Sequence, residues 1–221
     1  DLGGLWYSDA QKKLLGVSYE GHKGKTRYFF DKATEEMLGR MERHLRGYEI
    51  GIGGSNKAED KYIVYAGGDR TMGAYYFYDV KSDTMTKLAD LAPWIDEQQM
   101  AEMTPVTYTS RDGLEIEGYL TLPVGKTLHN AKNLPVVVNP HGGPWARDSW
   151  GFNPEVQFLA NRGYAVLQMN FRGSTGFGRK FTEIAYGKWG QTMQDDITDG
   201  VNWLIEKGIA DPSKIAIYGG S

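Results

Sequence analysis

Between residues 134 and 218 the chain alternates short apolar runs with longer amphipathic stretches, and this order restricts the fold more than any other feature. Residues 134–139 (LPVVVN), 164–171 (YAVLQMNF) and 214–218 (KIAIY) read as strands, and the first is apolar enough to be buried on both faces of a sheet. Helical patterns separate them. One spans 154–162 and stops at Gly163, the other spans 191–207 and stops at Gly208. Each glycine stands where a helix C-terminus turns left-handed. Strand, helix, strand, helix, strand is the order of a mainly parallel sheet. A hairpin precedes it: residues 106–109 and 114–122 flank Ser110-Arg111-Asp112-Gly113, whose Asp-Gly is a strong turn signal.

The first part of the chain has another texture. Up to about residue 88 it is rich in Tyr, Gly and short β-patterned runs, at 13–19, 26–31, 61–66, 73–80 and 85–88, separated by turn chemistry such as Gly67-Gly68-Asp69. Short strands at regular spacing predict antiparallel sheets, as in propeller blades or a sandwich. One helix interrupts, from Thr34 to about Gly47, with Glu35 and Glu36 in its first turn and one stripe of Met37, Leu38, Met41 and Leu45. Ala92-Pro93-Trp94 breaks the pattern. The expected division is therefore 1–92, a connector at 93–104, and 105–221.

Composition narrows the function classes. A net charge of -3 and the lack of a Lys/Arg block argue against a nucleic-acid surface. No run approaches the ~20 apolar residues of a membrane span. Without cysteine there is no disulfide, thiolate nucleophile or cysteine-ligated metal, and cytosol and periplasm suit the chain equally. The four histidines form no H-x-H or H-E-x-x-H pair, so no metal site and no cofactor is expected. With no initiator Met and no signal-peptide core, the N-terminus reads as the interior of a longer protein.

Two motifs carry chemistry. Residues 213–221 run from a short strand into Gly219-Gly220-Ser221, the first half of the G-x-S-x-G elbow that lifts a serine out of a sheet. His141-Gly142-Gly143-Pro144 follows the strand at 134–139, where such a fold places one donor of its oxyanion hole. Acyl transfer needs both, because a serine hydroxyl attacks only if a base takes its proton and donors accept the developing charge. The Gly143 N–H is the expected first donor. The acid and base follow the serine in chain order in this arrangement. They are expected, as an Asp and a His, in a continuation of more than about 100 residues. A plainer reading makes 141–144 a tight turn and His141 a satisfied loop histidine.

Other residues have structural readings beside functional ones. His22 and His129 fall in polar loops, and His44 sits at the edge of a helix stripe. Asp195, Asp196 and Asp199 lie in the first half of a helix, where acidic residues favour the macrodipole. Glu35 and Glu36 either grip a peptide amine or form an ordinary acidic first turn. Trp145, Trp150 and Phe152 line a cleft or belong to the core. The loop 172–178 (RGSTGFG) lacks phosphate-loop spacing.

The run from Pro105 through Tyr119-Leu120-Thr121-Leu122-Pro123, His141-Gly142-Gly143-Pro144, Asn170-Phe171-Arg172-Gly173-Ser174-Thr175-Gly176-Phe177-Gly178 and Asp211-Pro212-Ser213 to Ser221 resembles the prolyl oligopeptidase family, in the branch of acylaminoacyl-peptidases and related dipeptidyl peptidases. The resemblance covers residues 105–221 through four motifs in order. It implies an α/β fold, the N-terminal half of an α/β-hydrolase domain preceded by the last blades of a β-propeller. It also implies Ser221 as nucleophile, Gly143 as oxyanion donor, His141 and Gly142 as supports of that loop, and Arg172 as its ion-paired anchor. Oligopeptides would be the substrates, since a propeller over the site excludes folded proteins, and homo-oligomers are compatible with it. An esterase on the same fold and a non-catalytic scaffold lacking the triad Asp and His are the rival readings.

Overall fold

Aromatic and β-branched residues at alternate positions build the first unit of the computed structural model, which describes residues 1–221 throughout. The strands β1 (Gly4–Ser8), β2 (Lys13–Glu20) and β3 (Lys25–Phe29) form an antiparallel sheet in that order. Next come the helix α1 (Lys32–His44) and the strands β4 (Glu49–Ser55), β5 (Lys61–Gly67), β6 (Ala74–Asp79) and β7 (Thr84–Asp90), an antiparallel meander. In β5 the period-2 rule is plain: Tyr62, Val64 and Ala66 are buried while Ile63 is exposed. The stripe of α1 buries Met37, Leu38 and Met41, with Leu45 just beyond, among Ile50, Val64 and Tyr78.

The helix starts before Thr34, because Asp31 rather than Thr34 is its cap. The Asp31 carboxylate accepts from the Thr34 backbone N–H at 2.9 Å and from its hydroxyl at 2.7 Å. Lys13, then Thr34, hold that carboxyl down to about 2. The strands β1 and β4 were not expected from the sequence. The β4 run, EIGIGGS, is weakened as a strand signal by its glycines.

Residues 2–98 and 99–221 form two compact units, with Asp1 grouped with the second. In the second, the hairpin strands β8 (Met103–Thr109) and β9 (Glu115–Thr121) are followed by β10 (Leu134–Val138), α2 (Pro154–Asn161), β11 (Ala165–Met169), α3 (Arg179–Glu183), α4 (Thr192–Glu206) and β12 (Ala210–Ile217). The sheet order is β12-β10-β11-β9-β8. Strands β12, β10 and β11 are parallel, whereas β11–β9 and β9–β8 pair antiparallel. The sheet is thus mixed rather than mainly parallel, because the hairpin joins its edge.

One sheet face supplies Val106, Tyr108, Ile116, Leu120, Val136, Val138, Leu167 and Met169, and α4 covers it with Met193, Ile197 and Leu204. Each fully buried side chain of this size is worth ~1.5–3 kcal/mol. The helix lies so close that a Cβ on Gly200 would stand 2.8 Å from the Tyr108 hydroxyl. At the start of α2, Asn153 caps the Val156 N–H at 3.1 Å, and Gly163 ends the helix at φ +92. The five-residue α3 gave no sequence signal, being too short to show a stripe. No helix is long and apolar enough to cross a membrane.

Candidate active site

Parallel pairing of β10 with β12 carries both motifs to the same sheet end. Val138 pairs with Ile217, the Tyr218 N–H donates to the Val138 carbonyl at 2.9 Å, and the Asn139 side-chain amide donates to the Tyr218 carbonyl at 2.8 Å. Beyond this tie β12 enters Gly219-Gly220-Ser221. A Cβ on Gly219 would meet the Pro140 carbonyl at 2.9 Å. Ser221 adopts φ +75, a left-handed conformation that a residue with a side chain rarely takes and that marks strained functional turns.

The second motif comes directly against the first. A Cβ on Gly142 would stand 2.8 Å from the Gly220 carbonyl oxygen and 3.3 Å from the Ser221 Cβ. Gly143 has φ +127, and a Cβ there would meet the Trp145 amide nitrogen at 2.8 Å. Only glycines let this loop lie on the serine. A cavity of about 490 Å³ opens beside Ser221, lined by the 140–144 loop, Phe171, Trp189, Met193, Gln194 and Ile197.

His141 packs inward. Its ring stacks on Phe171 at 4.5 Å, its Nδ1 lies 2.7 Å from the Gly142 carbonyl oxygen, and its Nε2 lies 2.8 Å from the Ser174 hydroxyl. Burial pulls its pKa down, against the bond to Gly142, and favours the neutral ring. Both ring nitrogens are engaged, so this histidine is not a free base.

Arg172 lies at the centre of an ion-pair network. Its guanidinium makes two bonds to Asp112, at 2.7 and 2.8 Å, and two to Asp196, at 2.8 and 2.7 Å, and its backbone N–H also donates to Asp196 at 2.9 Å. The Asp196 side chain is fully buried. The bonds to Asp196, then Asp112, push the Arg172 pKa up, and Arg172 holds the Asp112 carboxyl down. Ser110 donates toward Asp196 and Asp199, and Arg111 pairs with Asp199 and Asp195. These three aspartates therefore have arginine partners in addition to their place in the first half of α4. Their spacing on the helix was visible in the sequence, but the partners come from the β8–β9 turn and the loop after β11.

That loop is shaped by its glycines. Gly173, at φ +98, would bring a Cβ to 2.9 Å from the Ala185 methyl. The Arg147 guanidinium lies over the Phe177 ring at 4.7 Å. Sequence reasoning gave no role to Ser174, Asn170 or Asp148. The Asn170 side chain clamps the Asp148 backbone through both its amide N–H (2.8 Å) and its carbonyl (3.1 Å), and Gln168 donates to the Asp148 carboxylate at 3.0 Å. Burial pushes the Asp148 carboxyl up to about 6, against the bond from Gln168.

The remaining sequence assignments separate. Trp150 donates its indole N–H to the Met103 carbonyl at 2.9 Å and is tied to β8, whereas Trp145 is exposed and lies 6.2 Å from the ring of exposed Trp189. Glu35 and Glu36 are exposed on α1, with Glu36 3.9 Å from Lys32. His44 pairs with Asp83 at 3.2 Å and meets Tyr78 edge-on.

Residues 150–221 match the prolyl oligopeptidase family model. Over its whole length the chain is 36% identical to dipeptidyl aminopeptidase BIII of Pseudoxanthomonas mexicana and 42% identical to dipeptidyl peptidase family member 6 of Caenorhabditis elegans, covering 32% of each. It therefore spans about a third of the length of these relatives. Among solved structures, an acylaminoacyl peptidase in complex with Z-Gly-Gly-Phe-chloromethyl ketone shares the fold, with a TM-score of 0.69 and 21% identity over 99% of this chain and 33% of that one. The family match over residues 150–221, the whole-length identities and the fold point the same way, and the chain is similar to members of the prolyl oligopeptidase family.

Proposed function

We propose that the full-length protein is a serine peptidase of short peptides that acts through an acyl-enzyme on Ser221. The observation that carries this reading is the approach of the Gly142-Gly143 loop to a serine held at φ +75. In the first step the Ser221 Oγ bonds to the scissile carbonyl carbon while a base takes its proton, and the carbonyl oxygen becomes an oxyanion. The Gly143 N–H donates to that oxygen, together with the N–H of the residue after the serine. Such a donor is worth roughly 3 kcal/mol of transition-state stabilisation. Collapse breaks the C–N bond, the amine leaves with the proton, and water then releases the acyl group.

Arg172 holds the 172–178 loop against the β8–β9 turn and α4, which fixes Phe171 and Ser174 behind His141. In this reading residues 105–221 are the first half of a hydrolase domain, 93–104 are a connector and 1–92 are blades of a propeller. The β4–β7 meander has the form of one such blade. The relative from Pseudoxanthomonas mexicana is named a dipeptidyl aminopeptidase, which supports peptides with a free N-terminus as the substrate class.

Fluorophosphonate labelling of the full-length protein, read by intact mass, tests the proposal. One adduct that disappears in Ser221→Ala is the expected result. A folded wild-type protein that takes up no adduct overturns it.

A further inference from the structure

The peptide unit between Gly142 and Gly143 is planar and trans, so its carbonyl oxygen and its N–H point in fixed, opposite directions. Whatever holds the Gly142 carbonyl therefore aims the Gly143 N–H. The His141 Nδ1, 2.7 Å away, can hold a carbonyl oxygen only while it carries a proton. In a neutral ring Nε2 is then a bare acceptor, and it needs a donor.

The structure assigns that donor: we infer that Ser174 is a positioning residue of the oxyanion loop, acting through the His141 tautomer. This inference rests on the reading of Ser221 as nucleophile and Gly143 as donor. Ser174 is fully buried, with its Oγ 2.8 Å from the His141 Nε2 and 2.6 Å from the Phe171 carbonyl oxygen. One hydroxyl proton faces two acceptors. The Phe171 carbonyl, with two lone pairs, accepts both this hydroxyl and the Ser174 backbone N–H at 3.0 Å, and the short distance to Nε2 lets the hydroxyl proton bridge to the ring as well. The hydroxyl proton is thus shared between the Phe171 carbonyl and Nε2, beside Nδ1–H to the Gly142 carbonyl and Ser174 N–H to the Phe171 carbonyl. Stacking on Phe171 keeps the ring in plane with both contacts. Without the hydroxyl, the buried Nε2 has no donor, and the tautomer with the proton on Nε2 is no longer excluded. In that tautomer Nδ1 presents a lone pair to the Gly142 oxygen, and the peptide turns away from the position where the oxyanion forms.

A double-mutant cycle in the full-length protein tests this, with Ser174→Ala, His141→Phe and the double variant assayed on a short peptide. The expected result for Ser174→Ala is a kcat lowered about tenfold to hundredfold at unchanged KM, below the full loss of an oxyanion donor. Its inhibition by a peptide boronic acid, whose adduct places an oxygen in the oxyanion position, weakens by the same factor. The double variant matches His141→Phe alone, since a residue acting only through His141 has nothing left to act on. Should Ser174→Ala fail to fold, Ser174→Cys, which keeps a weak donor of similar size, enters the same cycle. Additive losses in the cycle, or a kcat unchanged on removing the hydroxyl, overturn the inference. A wild-type protein with neither fluorophosphonate adduct nor peptide hydrolysis overturns the reading of Ser221, and this inference with it. An active, labelled enzyme with additive losses overturns the inference alone.

Discussion

At the scale of single residues, the site depends on atoms that are not there. Gly142 has no Cβ where one would press on the Gly220 carbonyl at 2.8 Å and on the Ser221 Cβ at 3.3 Å. The first clash is with backbone, which cannot rotate away as a side-chain tip can. Gly142→Ala is therefore expected to push the 141–144 loop off the serine and, on the proposed mechanism, lower kcat by about a hundredfold, in the range of losing an oxyanion donor. Thermal unfolding should change little, because the residue is outside the core. A variant with full kcat would show that the loop tolerates the shift. The glycines and the serine were legible in the sequence because their geometry is local. Ser174 was not, since nothing along the chain links a serine to a histidine 33 residues earlier.

At the scale of elements, α4 is bound to the rest of its unit by packing and by charge. Its buried Asp196 faces Arg172, Ser110 and, through its carbonyl, the Tyr108 hydroxyl at 2.6 Å. Removing one partner from such a buried pair leaves an uncompensated charge and costs roughly 3–5 kcal/mol. Asp196→Asn is expected to fall near the lower end, because the amide keeps one acceptor, while Arg172→Ala leaves the fully buried Asp196 carboxylate without its cation and falls near the upper end. Denaturant unfolding of both variants measures the difference, and equal, sub-kilocalorie losses would contradict the network. The helix itself was legible from its stripe and its terminal glycine. Arg172 was expected to be ion-paired, but its partners and the Arg111 pairs were not legible, because both arginines reach the helix from loops distant in sequence. The mixed character of the sheet was hidden for the same reason: a hairpin signal is local, but the strand it joins is not.

At the scale of the whole molecule, pH acts through its buried titratable groups, and Asp148 is the clearest of them. Its folded pKa of about 6 lies above the ordinary aspartate value of 3.8. A raised value means that the folded state holds the proton more tightly than the unfolded chain does. Its contribution to stability is therefore fully present below about pH 4 and is lost as pH rises through about 6. The loss amounts to about 2–3 kcal/mol at neutral pH, taking about 1.4 kcal/mol per pKa unit. Asp148→Asn, which keeps an acceptor for Gln168 and adds no charge, is expected to raise Tm at pH 7–8 and leave it unchanged near pH 4. Parallel melting curves of wild type and variant across that range check it. Identical curves would mean that the carboxyl stays solvated. The overall order of elements was legible because apolar periodicity survives from residue to sheet. The glycine-rich β4 and the five-residue α3 carry too little periodicity to announce themselves.

The left-handed backbone at Ser221 has a consequence for how this position can change over time. Glycine is the residue that would relax the turn most completely, since a Cβ in this region costs roughly 1–2 kcal/mol. Glycine is also the residue that removes the hydroxyl. Stability and chemistry therefore rank the same two occupants in opposite order, and a lineage selected only for a folded chain would drift toward glycine here. On the proposed role of Ser221 as nucleophile, serine at this turn is held by its chemistry against the preference of the backbone.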